Sequence, residues 1–214
     1  MKSLFLICIA AVAASPVFGA SLLYQGHGSV RLESSSGTVV YIDPYVGEGC
    51  DKEADLILVT HEHRDHNNID LVKQTEKTVI LRSKDMLIDG KYQTKKVGRI
   101  KIEAVPAYNK NHKKEECVGY IVTIDGKKCY FSGDTSTTDA MPGFKKRKLD
   151  YAFLCMDGKY NMGPEEATEC AKVIGAKHSV PYHMAPGKLF DEETAKKLKV
   201  DSLLIVPAGT EIEL

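Results

Sequence analysis

The chain has 214 residues, 43% hydrophobic and 27% charged, with 29 basic and 29 acidic side chains and a formal net charge of zero. That length suits one domain with a sizeable core, and the balanced charge leaves no electrostatic footprint for a nucleic acid. One basic run, Lys145-Lys146-Arg147-Lys148, reads as a solvated face.

Met1-Lys2 gives a minimal positive start, and residues 4–14 form an apolar run too short to span a membrane. Small residues follow, with cleavage positions after Ala14, Ser15 or Gly19. Residues 1–20 therefore read as a signal peptide and residues 21–214 as the working domain. The protein is then secreted or periplasmic, with no membrane span after cleavage. Cys8 falls in the signal, leaving Cys50, Cys117, Cys129, Cys155 and Cys170 with no Cys-x-x-Cys spacing. Export permits one or two disulfides among them, and burial as small hydrophobes accounts for them equally well.

From residue 21 the pattern alternates as strands do. Residues 22–24, 29–33 and 38–42 are predicted strands of an antiparallel meander, turning at Gln25-Gly26-His27-Gly28 and at residues 34–37. His27 reads as an exposed turn residue or an outer contact of the site described next, not as a ligand. Residues 55–60 form a short buried strand that delivers Thr60-His61-Glu62-His63-Arg64-Asp65-His66. Packing requires no such density of imidazole and carboxylate. Those groups are ligands for zinc and similar divalent metals, and a strand end is where a scaffold presents them.

Beyond the motif, residues 68–74 are predicted as a short helix, 78–81 as a strand, 83–88 as a helix and 98–105 as a strand. Residues 119–124 and 128–131 form a hairpin across Asp125-Gly126, which runs on into Ser132-Gly133-Asp134-Thr135. Residues 150–154 are a buried strand, Gly163-Pro164 opens a helix over 165–174, and 179–183 is a strand ending in His183. A helix over 192–199 and a last core strand over 202–206 complete the order, which suits two mixed sheets face to face with helices outside, an α+β arrangement.

The spacing of His61, His63, Asp65 and His66 resembles the metal motif of the metallo-β-lactamase fold superfamily. Gly133-Asp134-Thr135 looks like its bridging-aspartate strand end, and Val180-Pro181-Tyr182-His183 like its late histidine strand. Gly26-His27-Gly28-Ser29-Val30, Ile42-Asp43-Pro44, Ala107-Tyr108-Asn109 and the stretch from Asn161 to Ala167 are similar to a branch of small metal-dependent hydrolases that includes the ascorbate-phosphate lactonases. The resemblance implies a four-layer αββα sandwich with two divalent metal ions, zinc or manganese, at one edge between the sheets. It assigns His61, His63 and His112 to one ion, Asp65, His66 and His183 to the other, and Asp134 between them.

One position departs from the pattern. The superfamily places a histidine after the middle strand, where this chain has Asn109, and His112 follows three residues later. Either His112 swings in as the missing ligand, or the first ion is held by His61, His63 and Asp134. Asp65 doubles as the catalytic residue that orients a metal-activated hydroxide and relays its proton. Glu62 and Asp43 are candidate acceptors for the second imidazole nitrogens, and Tyr108 and Asn109 are candidate substrate contacts. Asp157, Lys159 and Tyr160 read first as loop chemistry.

The expected activity is hydrolysis of a small ester, lactone or phosphoester. The expected partner is a small-molecule substrate, not a nucleic acid, with a homo-oligomer left open. Export makes a phosphorylated sugar acid a poor substrate. The alternatives are a nuclease or phosphodiesterase of the same fold, a β-lactamase, or a degenerate metal-binding non-enzyme.

Overall fold

A computed structural model describes residues 19–214. The predicted signal peptide lies outside the described residues except for its last two positions. In the first half, β1 (Ser21–Gly26), β2 (Ser29–Glu33), β3 (Val39–Ile42), β4 (Leu56–Leu58) and β5 (Val79–Leu81) are followed by α1 (Ser83–Met86). A small hairpin of β6 (Leu87–Ile88) and β7 (Lys91–Tyr92) then leads to β8 (Thr94–Val97), β9 (Ile100–Pro106), β10 (Val118–Ile124) and β11 (Lys127–Phe131). After these come α2 (Met141–Phe144), β12 (Tyr151–Cys155), α3 (Pro164–Ile174), β13 (His178–Tyr182), α4 (Glu192–Ala195) and β14 (Thr210–Glu213).

Two six-stranded sheets result, ordered β14-β1-β2-β3-β4-β5 and β13-β12-β11-β10-β9-β8. Each joins an antiparallel meander to two parallel additions. β3, β4 and β5 run parallel in the first sheet, as do β11, β12 and β13 in the second.

Strand side chains alternate between faces. Val40, Ile42, Leu56 and Leu58 accordingly join Tyr120, Val122, Phe131 and Phe153 in one core cluster between the sheets. Val39, Tyr41 and Ile57 point the other way, into a second cluster with Cys50, Ala54 and Val72. The outer cover of the second sheet includes α3, which buries Ala167, Cys170, Ala171 and Ile174 at helical spacing, begins at Pro164 and ends on left-handed Gly175. The first sheet's outer cover is slighter, a 3₁₀ turn at Ile69–Leu71 and the loop carrying Cys50 and Ala54. The molecule is the expected α+β sandwich, with one outer layer thinned. Its five described cysteines are buried and unbridged.

The structure departs from the expected elements in several places. The helix expected over 68–74 is that single 3₁₀ turn, and the helix over 83–88 stops at Met86, where Leu87 and Ile88 pair with β7. The helix over 192–199 ends after Ala195. Residues 202–206 touch β13 through one bridge, Ser179 to Leu203. The last strand is instead β14, which crosses to the other sheet and pairs with β1. Residues 202–206 are apolar enough to be read as a core strand, yet Leu203, Leu204 and Ile205 are only half-buried, lying along the sheet's edge.

Candidate metal centre

The parallel strands end together at one rim. There Asp43 follows β3, Asp134 lies just past β11, Asp157 follows β12 and His183 follows β13. Ligand sites in parallel sheets form beyond such carboxyl ends. Of six non-glycine residues with left-handed backbone among the described residues, three are His27, Asp43 and His183, all at this rim. Strain of this kind persists where the surrounding structure over-determines it.

Asp43 is completely buried. Its Oδ1 accepts from the Thr60 N–H at 2.7 Å, and its Oδ2 accepts from the Thr60 hydroxyl at 2.6 Å and faces His66 Nδ1 at 2.8 Å. A hydroxyl has one proton, and Thr60 gives it to Asp43. His61 Nδ1, 3.0 Å from that hydroxyl, must then donate, which leaves its Nε2 lone pair free. The same reasoning fixes Nδ1–H on His66, since a carboxylate only accepts. His112 Nδ1 lies 2.9 Å from Asn109 Oδ1. Gly28 clears the space that the His66 ring needs, because a Cβ there would sit 3.0 Å from His66 Cε1.

The free nitrogens converge on Asp134. His112 Nε2 is 3.3 Å from its Oδ2, while His66 Nε2 and His183 Nε2 are 3.3 and 3.4 Å from its Oδ1. Among the described residues, Nε2 of His61, His66 and His183 and Oδ1 of Asp134 are buried without an aligned hydrogen-bond partner. Close but misaligned donors of this chemistry fit a divalent cation better than they fit each other. Ligand atoms lie within 4.8 Å of one another in three overlapping sets: His61, His63 and His112; His61, His66 and Asp134; and His27, Asp65, His66 and His183. The seven predicted ligands are thus brought together, His112 among them.

Of the two readings of His27, the exposed turn residue fails and the contact with the site holds. His27 is buried, and its Nε2 lies 3.0 Å from Asp65 Oδ2. The turn's sequence does not say which residue of the site His27 meets, since Asp65 lies 38 positions later.

In the metal-free protein the charges follow from burial and neighbours. Burial and the adjacent His66 keep His61 well below the usual histidine pKa. Burial opposes protonation of His66 too, but the Asp134 and Asp43 carboxylates outweigh it and hold His66 up at about 9. Burial would raise Asp134, yet His66 and His183 keep it well below the carboxylate range. The contact with His27 does the same for Asp65.

One predicted role is corrected. Asn109 has no polar atom left for a substrate. Its Oδ1 accepts from Asn111 N–H and faces His112 Nδ1, and its Nδ2 donates to Tyr160 O and Asn161 Oδ1. Tyr108 is bound to Thr135 through its backbone, with its ring beneath the Lys114 ammonium. Asn111 and Tyr160 instead rim a cavity of about 220 Å³ whose floor is His63, Asp65, His112, Asp134 and His183. The reading of Glu62 as a second-nitrogen acceptor also fails, because its carboxylate binds Arg82 and Asn67. Asp43, the other expected acceptor, does lie against His66 Nδ1, and Asp157 lies beside His183.

Residues 21–183 match the family model described as Beta-lactamase superfamily domain. A UPF0173 metal-dependent hydrolase from Methanoculleus marisnigri is 32% identical over 183 residues, 76% of this chain and 80% of that one. Another, from a Geobacillus species, is 30% identical over 75% of this chain and 83% of its own length. Among solved structures, Igni18, a metallo hydrolase from Ignicoccus hospitalis, shares the fold at a TM-score of 0.71 and 22% identity, covering 91% of this chain and 98% of its own. By these matches the chain belongs to the beta-lactamase superfamily, among its metal-dependent hydrolases.

Proposed function

We propose that the protein hydrolyses a small ester, lactone or phosphoester at a centre of two divalent cations, zinc or manganese. The observation that carries this reading is Asp134, a buried carboxylate with one oxygen toward His112 and the other toward His66 and His183. His61, His63 and His112 are the ligands of one position, and Asp65, His66 and His183 of the other. When bound, such a pair lowers the pKa of a water toward neutrality and polarises the oxygen of the scissile bond.

The remaining steps belong to the chain. Thr60, Asp43 and Asn109 hold the Nδ1 protons of His61, His66 and His112, so each presents Nε2 inward. Of the cavity's two carboxylates, Asp134 is 5% exposed and Asp65 40%. Asp65 is therefore the one open to a water, and His27 keeps it ionised. It accepts a hydrogen bond from the attacking water, aims it, and hands the proton to the leaving oxygen. The cavity of about 220 Å³ supports a small substrate, since drug-sized ligands occupy about 300–1,000 Å³.

Assays across lactones, carboxylic esters and phosphoesters, before and after chelation, test this reading. Turnover of one class that is lost on chelation and restored by zinc or manganese is the expected result. Asp65→Asn should lower kcat by about 100-fold or more. Turnover indifferent to both treatments would sink the mechanism. Export belongs to the same proposal and is supported by the pattern of residues 1–20. N-terminal sequencing of the native product tests it, and a chain that retains Met1 overturns it.

A further inference from the structure

Asp157, Asn161 and Asn109 form a line of side chains between the two halves of the centre, and of the three only Asn109 has a role so far, holding the Nδ1 proton of His112. The Asp157 carboxylate is fully buried. Its Oδ1 accepts from the backbone N–H of Lys159 at 2.8 Å and of Tyr160 at 2.7 Å, which pins the loop before α3. Its Oδ2 accepts from Asn161 Nδ2 at 2.7 Å and faces His183 Nδ1 at 3.3 Å. Asn161 Oδ1 accepts from Asn109 Nδ2 at 3.0 Å, and Asn109 Oδ1 faces His112 Nδ1 at 2.9 Å.

The order of donors along this line has one solution. A carboxylate only accepts, so Asn161 must turn its amide nitrogen to Asp157 and its oxygen to Asn109. Asn109 then presents nitrogen to Asn161 and oxygen to His112, and His112 must carry its proton on Nδ1. Its Nε2 lone pair is thereby aimed at Asp134. The same carboxylate lies 3.3 Å from His183 Nδ1, too poorly aligned for a hydrogen bond but close enough for its charge to favour Nδ1–H on His183.

We propose that Asp157 is a positioning residue for both metal positions, setting His183 by contact and His112 through the Asn161–Asn109 amide relay. The proposal rests on the two-cation reading above. It makes the two positions interdependent: a change at Asp157 reaches His112, which it does not touch. Hydrogen-bond chains of this kind polarise one another, and loss of an outer partner weakens metal binding by roughly 10–100-fold.

The test compares Asp157→Asn and Asn161→Ala with the wild-type chain. Zinc-binding isotherms resolve the two equivalents, with His112→Ala and His183→Ala marking which is which. Imidazole ¹⁵N shifts of the metal-free protein report the tautomers of His112 and His183, and thermal melts report folding. Asn161→Ala should weaken only the His112 equivalent, by roughly 10–100-fold, and release the His112 tautomer alone. Asp157→Asn should weaken both equivalents and alter both imidazole spectra. Lower melting temperatures with unchanged affinities and spectra would overturn the relay, as would an Asp157→Asn effect confined to His183. If the wild type takes up no zinc, the two-cation reading fails, and the imidazole spectra still decide whether the relay exists.

Discussion

Asp43 shows how much of the centre depends on a residue outside the ligand set. Its two oxygens serve Thr60 N–H, the Thr60 hydroxyl and His66 Nδ1, all out of water. Asp43→Asn replaces one acceptor with a donor that must face a donor, so a buried proton loses its partner. Unfolding in urea should show a loss of about 3 kcal/mol, and an unchanged midpoint would show that the network relaxes freely. The candidate ligands were legible in the sequence because His61, His63, Asp65 and His66 lie within six positions, and because His112 is the lone histidine between His66 and His178. The sequence could not show that Asn109 folds into a bridge with His112 and spends its amide there. Nor could it show His27 reaching Asp65, a contact made by chain reversal and not by spacing.

At the level of elements, the strand ends aim the ligands, so strand packing and site geometry are one problem. A Cβ on Gly119 in β10 would lie 2.9 Å from the carbonyl oxygens of Phe131 and Ser132, just ahead of Asp134. Gly119→Ala should therefore cost about 1–3 kcal/mol and displace Asp134, read as a lower melting temperature together with weaker zinc uptake; a melt and an uptake like wild type would refute it. Asp150 makes a different join, accepting from Lys128 N–H and from the Lys177 ammonium and so tying β11 to the start of β13. Burial would raise its pKa, but Lys177 and the Lys128 N–H lower it. With the folded pKa below the unfolded value of about 3.9, its contribution is full above that pH and is lost as pH falls through the folded pKa. Asp150→Asn should cost about 1 kcal/mol at neutral pH, discounted for exposure, with the gap to wild type closing below about pH 4. A gap independent of pH would contradict the charge argument. The Asp125-Gly126 hairpin was legible because its turn demands left-handed residues, and both adopt them. β14 was not legible, because Thr210–Glu213 is short and half-exposed and gains its strand character only by pairing with β1.

For the whole molecule, the fold brings the carboxyl ends of both sheets' parallel strands to one rim, and four sequence-distant stretches meet there. Residues 61–66 come from the first sheet, while His112, Asp134 and His183 come from the second. Neither sheet alone holds a complete set, so metal uptake reports the packing of one against the other. The two-sheet architecture was readable from the strand order, whereas the thin cover over β3 and β4 was not, since a 3₁₀ turn and a short helix share their apolar spacing. Metal content per chain, measured on the purified protein and on His112→Ala, tests the two-cation centre most directly. Two equivalents, falling to about one in the variant, is the expected result. No tightly bound metal, or two equivalents unchanged by the loss of His112, would contradict it.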